Sequence, residues 1–97
     1  IDFDRLKAIK DMVQIPLVLH GGSGSGDDNI KKAVEYGINK INVFTDASNA
    51  CKKGMAEALQ KNPNADFMSI MMSAEKECKE IIKHFIRLAG SSGKAAV

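Results

Sequence analysis

The chain has 97 residues, of which 44% are hydrophobic and 27% are charged, a composition typical of globular proteins. A net charge of +2, with one tyrosine and four phenylalanines, excludes the basic and aromatic surface that nucleic-acid binding uses, so no nucleic-acid partner is predicted. Apolar runs of four residues or fewer are far short of the roughly 20 that cross a bilayer, so no membrane segment is predicted.

The first half of the chain predicts a helix, a strand, a helix and a second strand. Apolar residues recur every three or four positions over residues 3–13, which is the period of one helical face. The segment PLVL (16–19) predicts a parallel strand buried on both faces. Ser25 is predicted to cap the next helix, which Gly37 ends. The segment INKINVF (38–44) predicts the second strand.

The second half of the chain is predominantly helical. Residues 45–61 predict one helix, and an apolar face over residues 73–89 predicts another. Between them, NPNADFMSIMM (62–72) predicts a loop with a short extended piece. Strands that alternate with helices through short loops are typical of βα units feeding a parallel sheet, so the predicted fold class is α/β.

The cysteines and the N-terminal segment bear on the cellular compartment. Cys51 and Cys78 lie 27 residues apart without a CxxC pattern, and two cysteines are too few for a disulfide framework. The first ten residues are charged and contain no apolar signal region. These features predict a cytoplasmic protein in which both cysteines are reduced, small, buried helix residues.

Two loops follow the predicted strands, at the edge of a parallel sheet where α/β proteins bind ligands. The first loop begins with His20 and continues as GGSG (21–24). Glycines let backbone N–H groups approach an anion, and the next helix adds its positive N-terminus, so a phosphate is the predicted ligand. The residues alone leave two alternatives open: a structural turn instead of a phosphate site, and a structural histidine instead of a metal ligand.

Three motifs together resemble a known family. In order, PLVLHGGSG (16–24), GINKINVFTD (37–46) and GSSGKA (90–95) are similar to the C-terminal part of the class II, metal-dependent ketose-bisphosphate aldolases. The resemblance implies a TIM (β/α)₈ barrel, with residues 1–97 as the C-terminal segment of its single domain, comprising the last two βα units and a trailing helix. It also implies reversible aldol cleavage of fructose 1,6-bisphosphate or tagatose 1,6-bisphosphate by a homo-oligomer, either a dimer or a tetramer.

The same resemblance assigns roles to five residues. His20 is implied to be a ligand of a catalytic Zn²⁺. Gly21 and Ser23 are implied to bind the phosphate of dihydroxyacetone phosphate, with Thr45 as a further phosphate contact. Asn42 is implied to contact the carbonyl and hydroxyl end of the substrate. In such a site a divalent cation stabilises the enediolate that forms when dihydroxyacetone phosphate loses a proton.

The chain lacks part of the expected site. A catalytic zinc needs three protein ligands, and His84, the second histidine of the sequence, lies outside the matching motifs. A whole barrel takes about 250 residues. The other two ligands and the general acid/base are therefore expected outside these 97 residues, in a longer enzyme of which this segment alone is inactive. The alternative is a noncatalytic phosphate-binding α/β module.

Overall fold

The computed structural model describes residues 1–95, which form helices joined to a small parallel sheet. In chain order the elements are α1 (Phe3–Met12), β1 (Leu17–Leu19), α2 (Asp27–Glu35), β2 (Ile38–Ile41), α3 (Thr45–Lys61) and α4 (Phe67–Leu88). The α/β class is thus confirmed for this part of the chain. Residues 96 and 97 of the predicted domain lie outside the described residues. None of the helices within residues 1–95 has the length and apolar character needed to cross a membrane.

The chain divides into two compact units. The first unit contains Ile1–Val43 together with the residues from Arg87 onward, and the second contains Phe44–Ile86. In the first unit β1 and β2 pair in parallel, and α2 contributes buried residues beside β2. Ile30 and Ala33 of α2 are 2% and 0% exposed, so this helix supplies most of a small core. The predicted candidate site residues before Phe44 all belong to this unit.

One face of β1 is open to solvent, so the prediction of a strand buried on both faces is wrong for the described residues. Val18, in the middle of β1, is 44% exposed, whereas Leu17 and Leu19 on either side are half-buried. Alternate side chains of a strand point to opposite faces. The face that carries Leu17 and Leu19 is therefore packed, and the two-stranded sheet leaves the face of Val18 largely uncovered.

The start of α2 differs from the predicted capping arrangement. The residue that precedes the helix is Gly26, with φ at 85°, and no side chain caps the helix start, so the prediction of a Ser25 cap is wrong. The positive φ of Gly26 turns the chain into the helix one residue later than predicted. The Ser25 carbonyl instead accepts a hydrogen bond from Asn29 Nδ2 at 2.8 Å. At the other end, Gly37 follows α2 with φ at 109°, as predicted.

The second unit consists of α3 and most of α4. The bounds of α3 agree with the prediction, whereas α4 begins at Phe67, so the predicted loop over 67–72 is wrong. Asp66 Oδ1 accepts a hydrogen bond from the Ser69 backbone N–H at 2.9 Å, which caps the helix. Hydrogen bonds from Ser69 also lower the pKa of Asp66. Phe67 and Met68 are 70% and 62% exposed, so the first turn does not continue the apolar pattern of the packed face.

Small residues bring α3 and α4 close together. A Cβ atom on Gly54 would lie 2.8 Å from the Ser73 carbonyl carbon and 2.9 Å from the Ala74 Cα, closer than real Cβ contacts allow. The Ser73 hydroxyl donates a hydrogen bond to the Gly54 carbonyl at 2.8 Å, and Ala74 is 7% exposed. The crossing of the two helices therefore depends on the absence of a side chain at Gly54.

Candidate functional site

His20 and Asn42 lie side by side at the C-terminal ends of the two parallel strands. Each residue directly follows its strand, and Asn42 Nδ2 lies 2.8 Å from His20 Nδ1. The Asn42 backbone N–H donates to the Leu19 carbonyl at 3.2 Å, so the backbone ladder continues to the site. His20 and Asn42, two predicted site residues that follow different strands, are thus in direct contact.

A one-residue irregularity in strand pairing sets this contact. Leu17 pairs with Ile38, but Val18 pairs with Lys40, so Asn39 has no partner residue on β1. The Asn39 side chain compensates, because its Oδ1 accepts a hydrogen bond from the Leu17 N–H at 3.0 Å. Since side chains alternate along a strand, the shift by one residue changes which residues share a face.

After the irregularity, one face of the sheet carries the polar side chains of Lys40, His20 and Asn42. Val18 and Lys40 form one row of this face, and His20 and Asn42 form the next. We call these four residues the site face. The opposite face carries Leu19 and Ile41, which are half-buried. The open face of the sheet and the polar face are therefore the same face.

Lys40 was not among the residues that sequence analysis singled out, yet it fixes the orientation of the Asn42 amide. Lys40 Nζ donates a hydrogen bond to Asn42 Oδ1. The amide nitrogen of Asn42 must then face His20, and as a donor it requires a lone pair on His20 Nδ1. The neutral imidazole in this arrangement carries its proton on Nε2. The two-residue spacing of Lys40 and Asn42 on one strand was the signal that could have identified Lys40.

This hydrogen-bond chain constrains how the imidazole could ligate a metal. Ligation through His20 Nε2 would move the ring proton to Nδ1, which would need the Asn42 amide to turn its oxygen toward the ring. Ligation through Nδ1 would require the Asn42 amide nitrogen to move away. In either mode the Asn42 amide would have to leave its present contact with His20 Nδ1.

The loop after His20 contains Gly21 and Ser23, the two predicted phosphate contacts that lie in the first unit. Gly21 has φ at 67° and is exposed, and Ser23 is half-buried. The Ser25 N–H donates to the Gly22 carbonyl at 3.1 Å, which closes a tight turn around Ser23. Gly21 and Ser23 therefore lie at the same end of the sheet as His20, which they follow in the sequence.

The structure places Thr45 and His84 in the second unit. Thr45 is the first residue of α3 and is exposed, in agreement with its predicted position directly after the second strand. His84 lies within α4, where its ring contacts that of Phe85 edge-on, with 5.6 Å between ring centroids. Within residues 1–95, no three His, Cys, Asp or Glu side chains are grouped so that they could hold a metal ion. Among the described residues, His20 would therefore supply one ligand of a metal site, and the other ligands would have to come from elsewhere.

Removal of the Lys40 ammonium group tests the hydrogen-bond chain. In the metal-free protein that carries this chain, we expect Lys40→Met to change neutral His20 from one tautomer to a mixture of two, because the Asn42 amide can then rotate. The ¹⁵N chemical shifts of the His20 ring report the tautomer. Lys31→Met, which removes an exposed lysine of α2, is the matched control and should leave these shifts unchanged. Identical shifts in the wild type and in Lys40→Met would contradict the proposed orientation.

Comparison with known proteins agrees with the arrangement of motifs. The chain matches the family model for class II fructose-bisphosphate aldolases over residues 1–94. The chain belongs to the class II fructose-bisphosphate aldolase family, and the resemblance noted in its motifs is confirmed.

Individual relatives are similar over almost the whole chain. A sulfofructosephosphate aldolase from Alkalicoccus urumqiensis is 43% identical over 94 residues, which is 96% of this chain and 33% of the relative. The uncharacterized protein YdjI of Escherichia coli strain K12 is 39% identical over 95 residues, or 98% of this chain and 33% of that protein. The crystal structure of the YdjI aldolase from Escherichia coli K12 superposes with a TM-score of 0.86 at 38% identity, covering 99% of this chain and 36% of that one. The chain spans about a third of the length of the curated relatives it matches.

Proposed function

We propose that this chain forms the C-terminal βα units of a class II aldolase barrel that cleaves a ketose phosphate by a metal-dependent retro-aldol reaction. The observation that carries the proposal is the contact between His20 and Asn42 at the C-terminal ends of adjacent parallel strands, directly before a glycine-rich loop. Barrel enzymes build their active sites at this end of the strands. Membership of the aldolase family supports the same reaction class.

The glycine-rich loop is proposed to bind the phosphate of the substrate. Its turn presents backbone N–H groups and the Ser23 hydroxyl, and α2 begins directly after it with its positive end toward the loop. Gly21 and Ser23 would hold the phosphate there, and Thr45 would add a hydroxyl contact. A phosphate held on these groups fixes the position of the reacting carbon atoms relative to His20 and Asn42.

His20 is proposed to supply one ligand to a divalent metal, with Zn²⁺ as the first candidate. When bound, such a cation supplies Lewis-acid stabilisation of the negative charge that develops on the substrate carbonyl. Asn42 would donate its amide N–H to the same end of the substrate once His20 no longer engages it. The remaining ligands and the general acid/base would come from other strands of the barrel, which agrees with the isolation of His20 within the described residues.

The substrate is proposed to be a ketose phosphate that yields dihydroxyacetone phosphate. Fructose 1,6-bisphosphate and tagatose 1,6-bisphosphate are the two substrates that the motifs predict. Similarity to a sulfofructosephosphate aldolase adds a sulfofructose phosphate to the candidates. All three compounds carry a phosphate, so the glycine-rich loop serves each of them equally.

The test is an aldolase assay of the complete protein that carries this chain. The three ketose phosphates are supplied separately, and release of dihydroxyacetone phosphate is coupled to NADH oxidation. We expect cleavage of at least one substrate, its loss after treatment with a chelator, and its return when Zn²⁺ is added back.

Treatment with borohydride is the control that distinguishes the metal-dependent mechanism from a Schiff-base mechanism. Borohydride should not inactivate the enzyme in the presence of substrate, because the metal-dependent reaction forms no imine. Binding of inorganic phosphate without cleavage of any of the three substrates would instead favour the noncatalytic phosphate-binding module. Cleavage that continues undiminished in the chelator would contradict the metal requirement.

A further inference from the structure

The two cysteines of the chain, 27 residues apart in sequence, lie on the two helices that cross at Gly54. Cys51 lies on α3 and Cys78 on α4, and each is half-buried and free. Both belong to the second unit of the structure, whereas the residues of the site face belong to the first. The proposed function leaves them without a role.

The geometry of the helix crossing places the two thiols opposite each other. Gly54 packs against Ser73 and Ala74 at the crossing, and Lys53 forms an ion pair with Glu77 at 3.7 Å. A step back along α3, from Gly54 to Lys53, corresponds to a step forward along α4, from Ala74 to Glu77, as in an antiparallel helix pair. Cys51 lies three residues before Gly54, and Cys78 lies four residues after Ala74. Because residues three or four apart share a helix face, both cysteines lie one turn from the crossing on the facing surfaces.

The surroundings of Cys78 agree with this register. Its neighbour Cys51, together with partial removal from water, raises the pKa of Cys78. Two cysteines on the facing surfaces of a close helix crossing have the placement that a disulfide between the helices requires. A structural zinc site is a poorer fit, because it takes four ligands and no group of three such side chains occurs within residues 1–95.

We propose that Cys51 and Cys78 are a redox-sensitive pair, which a peroxide converts into an intramolecular disulfide that joins α3 to α4. One cysteine releases its proton and attacks a peroxide oxygen as its thiolate. An S–O bond forms, the O–O bond breaks, and the hydroxide that leaves takes up the released proton as the first water. The sulfur of the other cysteine then attacks the sulfenic acid, the S–O bond breaks, and the hydroxide that leaves takes the proton of this second thiol as the second water. Two thiols and one hydrogen peroxide thus give one disulfide and two waters.

Either thiol can take the first step, since both cysteines are half-buried and free. Thiolates, not thiols, are the attacking species in both thiol oxidation and disulfide formation. The partial exposure of both side chains gives a small oxidant access to the pair. This inference is independent of the proposed function, since none of the groups involved belongs to the candidate site.

The test treats the complete protein that carries this chain with one equivalent of hydrogen peroxide. The protein is alkylated, digested without reduction and analysed by mass spectrometry. We expect a cross-linked peptide that contains Cys51 and Cys78 and lacks two hydrogen masses, with loss of both free thiols and full recovery after dithiothreitol. Recovery of both cysteines as alkylated thiols, while peroxide has been consumed elsewhere, would overturn the proposal.

Two single variants test the sulfenic-acid step. In Cys78→Ser we expect a sulfenic acid on Cys51, trapped with dimedone, because the second thiol is missing. In Cys51→Ser we expect the corresponding adduct on Cys78. The absence of a dimedone adduct from both variants would overturn the sulfenic-acid step. The wild-type peptide map tests the disulfide itself even if either variant folds poorly.

Discussion

His20→Ala is expected to abolish metal binding and aldol cleavage together in the complete protein that carries this chain. His20 is the histidine that lies at the end of β1, in contact with Asn42, and the described residues offer no neighbouring ligand to replace it. Loss of an outer-shell partner of a metal ligand costs roughly 10–100-fold in affinity, so loss of the ligand itself should exceed about 100-fold. Zinc content after dialysis and kcat/KM for the best substrate measure the two effects.

The matched control for this substitution is His84→Ala. His84 lies within α4, in the other unit of the chain, and has no place in the proposed site. Its replacement should leave the zinc content and the rate of cleavage at wild-type values. Since the His20 side chain is exposed, His20→Ala should also keep the wild-type melting temperature of the metal-free protein. Stoichiometric zinc together with intact cleavage in His20→Ala would refute its assignment as a ligand.

Gly54→Ala is expected to destabilise the protein by about 2 kcal/mol, although alanine is the better helix former. In an isolated helix the substitution would stabilise by about 1 kcal/mol. At the crossing with α4, however, the new Cβ would lie 2.8 Å from the Ser73 carbonyl carbon and 2.9 Å from the Ala74 Cα, and backbone atoms cannot move aside as the end of a flexible side chain can. The free energy of unfolding from a urea titration measures the net effect.

Ala56→Gly calibrates the helix-propensity part of this prediction. Ala56 lies two residues further along α3 and is exposed, so its replacement changes propensity without changing the crossing. It should destabilise by about 1 kcal/mol. If packing were unimportant at Gly54, Gly54→Ala and Ala56→Gly would change the free energy of unfolding by equal and opposite amounts. A more stable Gly54→Ala protein would therefore show that α3 and α4 do not approach as closely as the structure describes.

The sequence predicted the elements of the first unit well, because their signals are local. The periodic apolar residues of α1, the apolar run of β1 and Gly37 after α2 each act within a few residues of the chain. The same holds for α3, whose bounds agree with the prediction. The start of α4 was missed because Phe67 and Met68 are apolar but exposed, so the apolar pattern did not mark the true helix start at the Asp66 cap.

The motifs also determined the family, since the glycine loop and the NVFTD segment occur in the expected order along the chain. The roles of His20, Gly21, Ser23, Asn42 and Thr45 stay predictions. What the structure adds is the contact between His20 and Asn42, together with the role of Lys40 in orienting the amide.

Only the tertiary structure decided the register of the two strands and the pairing of the two thiols. Regular pairing from Leu17 and Ile38 onward would have set His20 opposite the apolar Ile41, and the unpaired Asn39 shifts it opposite Asn42. Cys51 and Cys78 likewise lie on facing helix surfaces because the small residues at Gly54 and Ala74 let the helices cross closely. Local composition dictates helices, strands and turns. Which side chains face each other across two elements depends on backbone groups far apart in sequence, and these interact only once the chain has folded.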